Sequence, residues 1–200
     1  DKSNLKAFIQ IGSSDEYGDG VAPQNESQRE LPISPYSFAK TASTHFLQML
    51  HRTEDFPVVI LRLFLVYGPK QDGNRFIPSI IEGCLNNDKF PVSQGGQLRD
   101  FCYIDDVVSG ILATLTNNNI KGEIINLASG KPVTIREVVE KIIKITGQGV
   151  AEFGKIPYRV GENMALYADN SKAKELLGWR PSVTLSQGIF KTVTSYQKKT

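Results

Sequence analysis

Lys6-Ala7-Phe8-Ile9-Gln10-Ile11, closed by Gly12-Ser13-Ser14, decides how the rest of the chain is read. The run is short, apolar and bounded by a small polar turn, which is the pattern of a strand buried on both faces in a parallel sheet. In open α/β sheets the carboxyl ends of such strands are where ligands sit. The polar loop continues through Asp15-Glu16-Tyr17-Gly18 to about residue 31, kept irregular by Pro23 and Pro32. Next comes Ser34-Pro35-Tyr36-Ser37-Phe38-Ala39-Lys40. A proline in the first turn with a serine before it predicts a helix start, and the helix is expected to run to about residue 52. Phe38, Ala42, His45, Phe46 and Met49 fall at 3–4 spacing and are expected to form its buried stripe, with His45 as a packed histidine. Pro57-Val58-Val59-Ile60-Leu61-Arg62-Leu63-Phe64 is a second buried strand. Strand, helix, strand is thus set within the first third of the chain.

The alternation continues. Tyr67-Gly68-Pro69 breaks the second strand, and a helix over 77–85 and a strand over 99–104 follow. Asp105 is expected to cap a helix to about 116. Residues 123–127 read as a strand, and Thr134-Ile135-Arg136-Glu137 is a capping-box pattern opening a helix to 145. A strand over 150–153 and helices over 170–177, closed by Gly178, and 185–197 complete the pattern. The expected fold class is α/β with a mainly parallel sheet.

Composition narrows the function. The chain has 200 residues, 40% hydrophobic, with a net charge of +2 and well-mixed signs. That argues against a nucleic-acid partner. No apolar run approaches the ~18–20 residues of a membrane span, and no signal peptide opens the chain, so a cytoplasmic protein is expected. Cys84 and Cys102 lack metal-ligand spacing; they read as reduced, buried thiols, and no metal is expected.

Tyr36 and Lys40 lie one turn apart on a single helix face. An ammonium beside a phenol favours the phenolate, which makes the pair a candidate acid/base unit. An isolated copy of this spacing reads as a solvated helix pair; its company decides the matter. Ser13-Ser14-Asp15-Glu16-Tyr17-Gly18, Ser34-Pro35-Tyr36-x-x-x-Lys40, Leu61-Arg62-x-x-x-x-Tyr67-Gly68-Pro69, Arg99-Asp100-Phe101-x-Tyr103-x-Asp105-Asp106-Val107, Asp169-x-Ser171-Lys172-Ala173 and Leu177-Gly178-Trp179-x-Pro181 occur in that order. Together they resemble the extended short-chain dehydrogenase/reductases, in their nucleotide-sugar epimerase/dehydratase branch.

The resemblance implies a Rossmann-like NAD-binding domain, here partial, over 1–70 and 100–128, and a smaller α/β nucleotide-sugar-binding domain over 71–99 and 129–200. It implies a Ser13–Tyr36–Lys40 triad that also touches the cofactor, NAD, with NADP an alternative. Tyr36 would act as general base, Ser13 would bond the reacting sugar oxygen, and Lys40 would hold the nicotinamide ribose. Asp15, Arg99, Arg159 and Glu162 would meet a nucleotide-diphosphate sugar, the arginines at phosphate. A homodimer built through the Tyr36 helix is the expected assembly.

Three departures from the family pattern bear on activity. Leu65 stands where many relatives carry a diphosphate-binding Asn. Ser13-Ser14-Asp15, or Glu16 with the loop offset by one, replaces the Thr-Asp-Glu triplet of the dehydratases, so position 14 lacks the acid. The family's Gly-rich dinucleotide turn is absent from these 200 residues, and an exposed sheet edge needing a partner is expected in consequence. The expected activity is epimerisation at a sugar carbon through a keto intermediate. Reduction of a 4-keto-6-deoxy sugar nucleotide, 4,6-dehydration, and a catalytically silent piece that binds a nucleotide sugar are the alternatives.

Overall fold

The computed structural model describes residues 4–197. Its elements in order are β1 (Phe8–Ser13), a 3-10 turn (Ser14–Tyr17), α1 (Pro35–Glu54), β2 (Val58–Leu63), β3 (Leu65–Tyr67), α2 (Phe76–Leu85), β4 (Lys89–Val92), β5 (Leu98–Tyr103), α3 (Ile104–Thr114), a second 3-10 turn (Asn118–Ile120), β6 (Ile124–Leu127), β7 (Pro132–Thr134), α4 (Ile135–Thr146), β8 (Val150–Phe153), β9 (Ala165–Leu166), α5 (Ser171–Leu177) and α6 (Leu185–Gln197). The architecture is α/β with mainly parallel pairing, as the alternation predicts.

The central sheet is β1-β2-β6, parallel throughout, with Phe8 opposite Val58 and Ile60 opposite Ile124. Strand alternation splits its side chains between two cores. Val58, Ile60 and Ile124 pack with Leu47 of α1. Val59, Leu61, Ile125 and Leu127 pack with Val107 of α3, Ala173 of α5 and Trp179. With both faces covered, β2 tolerates no polar side chain without a buried partner, which makes Arg62 on it conspicuous. Among the described residues β1 pairs only with β2, and its other edge leaves Phe8 and Ile11 partly exposed.

A second core gathers α2, α4 and α6: Ile77, Ile80 and Ile81 meet Val138, Val139, Ile142, Ile189 and Val193, with Tyr67, Phe101 and Tyr103 from β3 and β5. Beside it β5 pairs with β3, β7 and β9, and β4 pairs with β8. Gly188 lets α6 press onto this layer, because a Cβ there would collide with the Tyr67 hydroxyl.

Three expectations need correction. The stripe Phe38, Ala42, His45, Phe46 and Met49 is the outer face of α1, with Phe38 65% and Phe46 57% exposed. The buried face is Ser37, Thr41, Thr44 and Leu47. The reason is local: α1 packs on a buried carboxylate beneath the β1 loop, and Thr44 Oγ1 donates to Glu16 Oε2 at 2.8 Å, a contact an apolar side chain cannot make. His45 is accordingly not a packed core residue; it lies at the surface, with Nε2 3.3 Å from Glu30 Oε2. Asp105 does not cap α3, whose N-cap is Tyr103 without a side-chain bond. Asp106 is instead the structural carboxylate, accepting from the Ser182 and Val183 amides at 2.9 and 3.0 Å. The short strands β4, β7 and β9 also escaped the pattern; they are two to four residues long.

Candidate active site

The site grows from the carboxyl end of β1. Ser13 ends the strand and caps the 3-10 turn: its Oγ accepts from the Asp15 amide at 3.1 Å. That bond uses an oxygen lone pair and leaves the hydroxyl proton for another acceptor. Glu16 closes the capping box, its Oε1 accepting from Ser13 N at 2.9 Å. Helix α1 opens as the sequence predicts, with Pro35 in the first turn and Ser34 Oγ accepting from Ser37 N at 3.1 Å. This start sets Tyr36 and Lys40 on one face. Lys40 Nζ donates to the Ile11 carbonyl at 2.9 Å, two residues before Ser13, and so fixes the helix against the end of β1. The same Nζ lies 5.8 Å from the centre of the Tyr36 ring. Tyr36 is 55% exposed.

A second group stands opposite. Arg99 on β5 pairs with Glu162. Burial pulls the Arg99 guanidinium below its usual range, and the carboxylates of Glu162 and Asp15 work against that. Asp15 is held above the usual carboxylate range by burial, with Arg99 opposing. Asp15, Arg99 and Glu162 are therefore electrostatically coupled. Arg159 is not gathered with them: it lies on an exposed turn in which Glu162 N donates to the Arg159 carbonyl at 3.0 Å. Leu65 sits half-exposed on β3, without a donor for phosphate. Phe101 packs edge-on against Tyr67 in the second core and so is structural.

The sequence reading missed the network beneath Ser13. Glu16 and Arg62 are both wholly buried. Arg62 Nε donates to Glu16 Oε2 at 3.1 Å and its Nη2 also reaches Glu30. The guanidinium stacks 4.5 Å from the centre of the Tyr17 ring. Burial opposes the Arg62 charge, but Tyr17, Glu16 and Glu30 hold its pKa above the ordinary value. Tyr17 in turn donates to Asn126 Oδ1 at 2.7 Å, and burial pushes its phenol up to about 12. The signal was present: a cation inside a continuous apolar strand requires a buried carboxylate, and Asp15 and Glu16 are the acids in the turn directly after β1. Its carboxylate is taken up by Ser13, Thr44 and Arg62, so Glu16 is no free acid for chemistry.

For a dinucleotide, Tyr36 and Lys40 offer a phenol and an ammonium on one accessible helix face, which fits a nicotinamide ribose. Among the described residues no Gly-rich turn is present to cradle a pyrophosphate.

Comparison with known proteins fits this geometry. The family model described as GDP-mannose 4,6 dehydratase matches residues 1–192. The chain is 32% identical over 189 residues to an uncharacterized UDP-glucose epimerase of Bacillus subtilis, covering 93% of this chain and 59% of that protein. It is 30% identical over 205 residues to the dTDP-D-glucose 4,6-dehydratase of Mus musculus, covering 98% and 57%. The UDP-glucuronic acid 4-epimerase of Bacillus cereus, solved with UDP-glucuronic acid and NAD, superposes with a TM-score of 0.89 at 33% identity, over 97% of this chain and 62% of that one. The chain spans about three-fifths of the length of the curated relatives it matches. These relatives are enzymes. On the family match, the ordered motifs and the shared fold, the chain belongs to the GDP-mannose 4,6-dehydratase family, within the nucleotide-sugar epimerases and dehydratases of the extended short-chain dehydrogenase/reductases.

Proposed function

We propose that the chain carries the acid/base and substrate-binding parts of an NAD-dependent nucleotide-sugar 4-epimerase. One observation carries this choice over dehydration: only one carboxyl group, that of Asp15, stands open beside Ser13, where elimination needs an acid and a base. Position 14 is a buried serine, Glu16 is locked under Arg62, and Asp15 is coupled to Arg99. Elimination of water needs an acid at the leaving hydroxyl and a base at the adjacent carbon. Proton transfer at a single hydroxyl needs only Tyr36.

In this reading Arg99 holds the substrate diphosphate through its guanidinium fork. Glu162, released from Arg99 or shared with it, orients a sugar hydroxyl. Ser13 donates to the oxygen at the reacting carbon. Tyr36 takes the proton from that hydroxyl, and Lys40, near the phenol, stabilises the phenolate. The bound nicotinamide supplies a hydride acceptor and then a donor. Tyr36 would then return the proton to the sugar oxygen, restoring the hydroxyl. The outer face of α1, with Phe38, Phe46 and Met49, serves as the contact between two copies, since contiguous apolar patches on helices mark association sites.

The test is a product assay on the full-length protein with NAD and UDP-glucuronate, UDP-glucose or dTDP-glucose, followed by NMR. Inversion at C4 without net NADH is expected, and a 4-keto-6-deoxy product would overturn the reading. Tyr36→Phe should lower turnover by about 10²–10⁴-fold, the usual worth of general acid–base catalysis, without altering thermal stability.

A further inference from the structure

We infer that a second anion site lies in the cavity between the β6–β7 loop and the segment joining α5 to α6, and that it binds a nucleoside phosphate. The cavity has a volume of about 660 Å³, within the range of roughly 300–1,000 Å³ that small-molecule sites occupy. Lys131, Lys174 and Arg180 line it, and no Asp or Glu does. Among the described residues none of these three cations makes an ion pair or a side-chain hydrogen bond. Arg62, Arg99, Arg136 and Lys172 each have a carboxylate, whereas these three line one cavity with none. Three unpaired positive charges around one concavity repel each other and concentrate anions there.

Two buried acids behind the lining are engaged by the lining itself: Asp106 accepts from the Ser182 amide and hydroxyl and the Val183 amide at 2.8–3.0 Å. Asp100 lies beneath the loop, and its carboxylate is taken up by the Ser129 amide and hydroxyl and the Gly130 amide at 2.6–2.9 Å. Those bonds make the loop a fixed wall. The rest of the lining includes Val133, Pro181, Val183, Leu185 and an edge of the buried Trp179, an apolar wall against which a base can rest. Cations beside an apolar wall suit a phosphate carried on an apolar, planar body better than a bare phosphate. The cavity shares no residue with the Ser13, Tyr36, Lys40, Arg99 and Glu162 cluster, so its occupancy is separable from the proposed reaction.

Trp179 is the only tryptophan in the chain, so its fluorescence reports on this cavity. Excitation at the red edge of the indole band avoids absorption by uracil. UDP, inorganic pyrophosphate and glucose 1-phosphate are titrated separately. A saturable change with UDP is expected at a Kd of about 1 mM or tighter, with pyrophosphate at least ~10-fold weaker. Lys174→Glu and Arg180→Glu, both at exposed positions, should each weaken UDP about tenfold or more. Arg99→Ala should leave the Trp179 response intact. Lys131→Glu serves as an independent variant should either of the others unfold. The proposal is overturned by no saturable response, by equal or tighter binding of pyrophosphate or glucose 1-phosphate, by a response indifferent to the charge reversals, or by one lost in Arg99→Ala.

Discussion

Replacing Arg62 by Met tests whether the network under Ser13 holds the site together. The substitution keeps a long apolar stem but removes the guanidinium. Glu16 then loses the donors that Arg62 Nε and Nη2 supply, each 3.1 Å from Oε2. It keeps only Ser13 N at 2.9 Å and Thr44 Oγ1 at 2.8 Å, in a site with no solvent access. Removing one partner of a buried ion pair costs about 3–5 kcal/mol, because the other charge stays buried and unpaired. Against a total stability of roughly 5–15 kcal/mol that is a fifth or more. With a urea slope of about 2 kcal/mol/M, the midpoint should fall by roughly 1.5–2.5 M. Urea unfolding followed by Trp179 fluorescence and far-UV circular dichroism measures it. Adding Glu16→Gln removes the stranded charge while keeping an acceptor for Ser13 N. The double variant should therefore be more stable than the sum of the singles by about 2 kcal/mol, within the range of coupled neighbours. A loss below about 1 kcal/mol for Arg62→Met, or strict additivity in the cycle, would refute the argument.

Other perturbations probe separate parts of the molecule. Phe46→Glu puts a charge in the middle of the exposed α1 face and should shift the protein toward monomer in sedimentation velocity, with secondary structure unchanged. Gly188→Ala forces a Cβ onto Tyr67 and should cost about 1–3 kcal/mol as overpacking, read as a lower thermal midpoint. Hydrogen bonds from Thr134 hold Glu137 below its ordinary value of 4.5. The stability it contributes is therefore present above that pH and lost as pH falls through the depressed folded value. Glu137→Gln should flatten the acid limb of the stability–pH curve between about pH 5 and 3; an unchanged limb would count against the capping assignment.

The sheet was legible because its strands are apolar runs bounded by turns, and α1 was legible through Ser34 and Pro35. The orientation of α1 was not. Its periodicity identifies an apolar stripe but does not say whether that stripe faces the core or another molecule, and here the inward face was chosen by Glu16 and Thr44. Ser13, Tyr36 and Lys40 are candidates drawn from spacing and resemblance, and the structure ties α1 to the end of β1 through Lys40 and Ile11. The coupling of Asp15 to Arg99 was not readable, since 84 residues separate them in sequence (99 − 15) and no local pattern joins them. Nor was the role of Asp106, which holds the Ser182–Val183 segment from 76 residues away. Burial of polar groups is a tertiary event, and its only trace in sequence is a charge, such as Arg62, where the local pattern demands an apolar residue.

The central sheet also constrains how the molecule forms. Its first pairing joins residue 8 to residue 58, and its second joins residue 60 to residue 124. Neither is a hairpin, so no strand pair can zip from a tight turn. The entropy of closing each long loop must be met before any ladder bond returns it. Helices such as α4, with its own capping box, can flicker into place early, whereas β1 must wait for chain beyond it. β6 follows β2 by about 60 residues, and until it emerges from the ribosome one hydrogen-bonding edge of β2 lacks its neighbour. Folding of this core is expected to be slow and late, and during that interval the exposed runs 58–61 and 8–11 are the segments most in need of a chaperone.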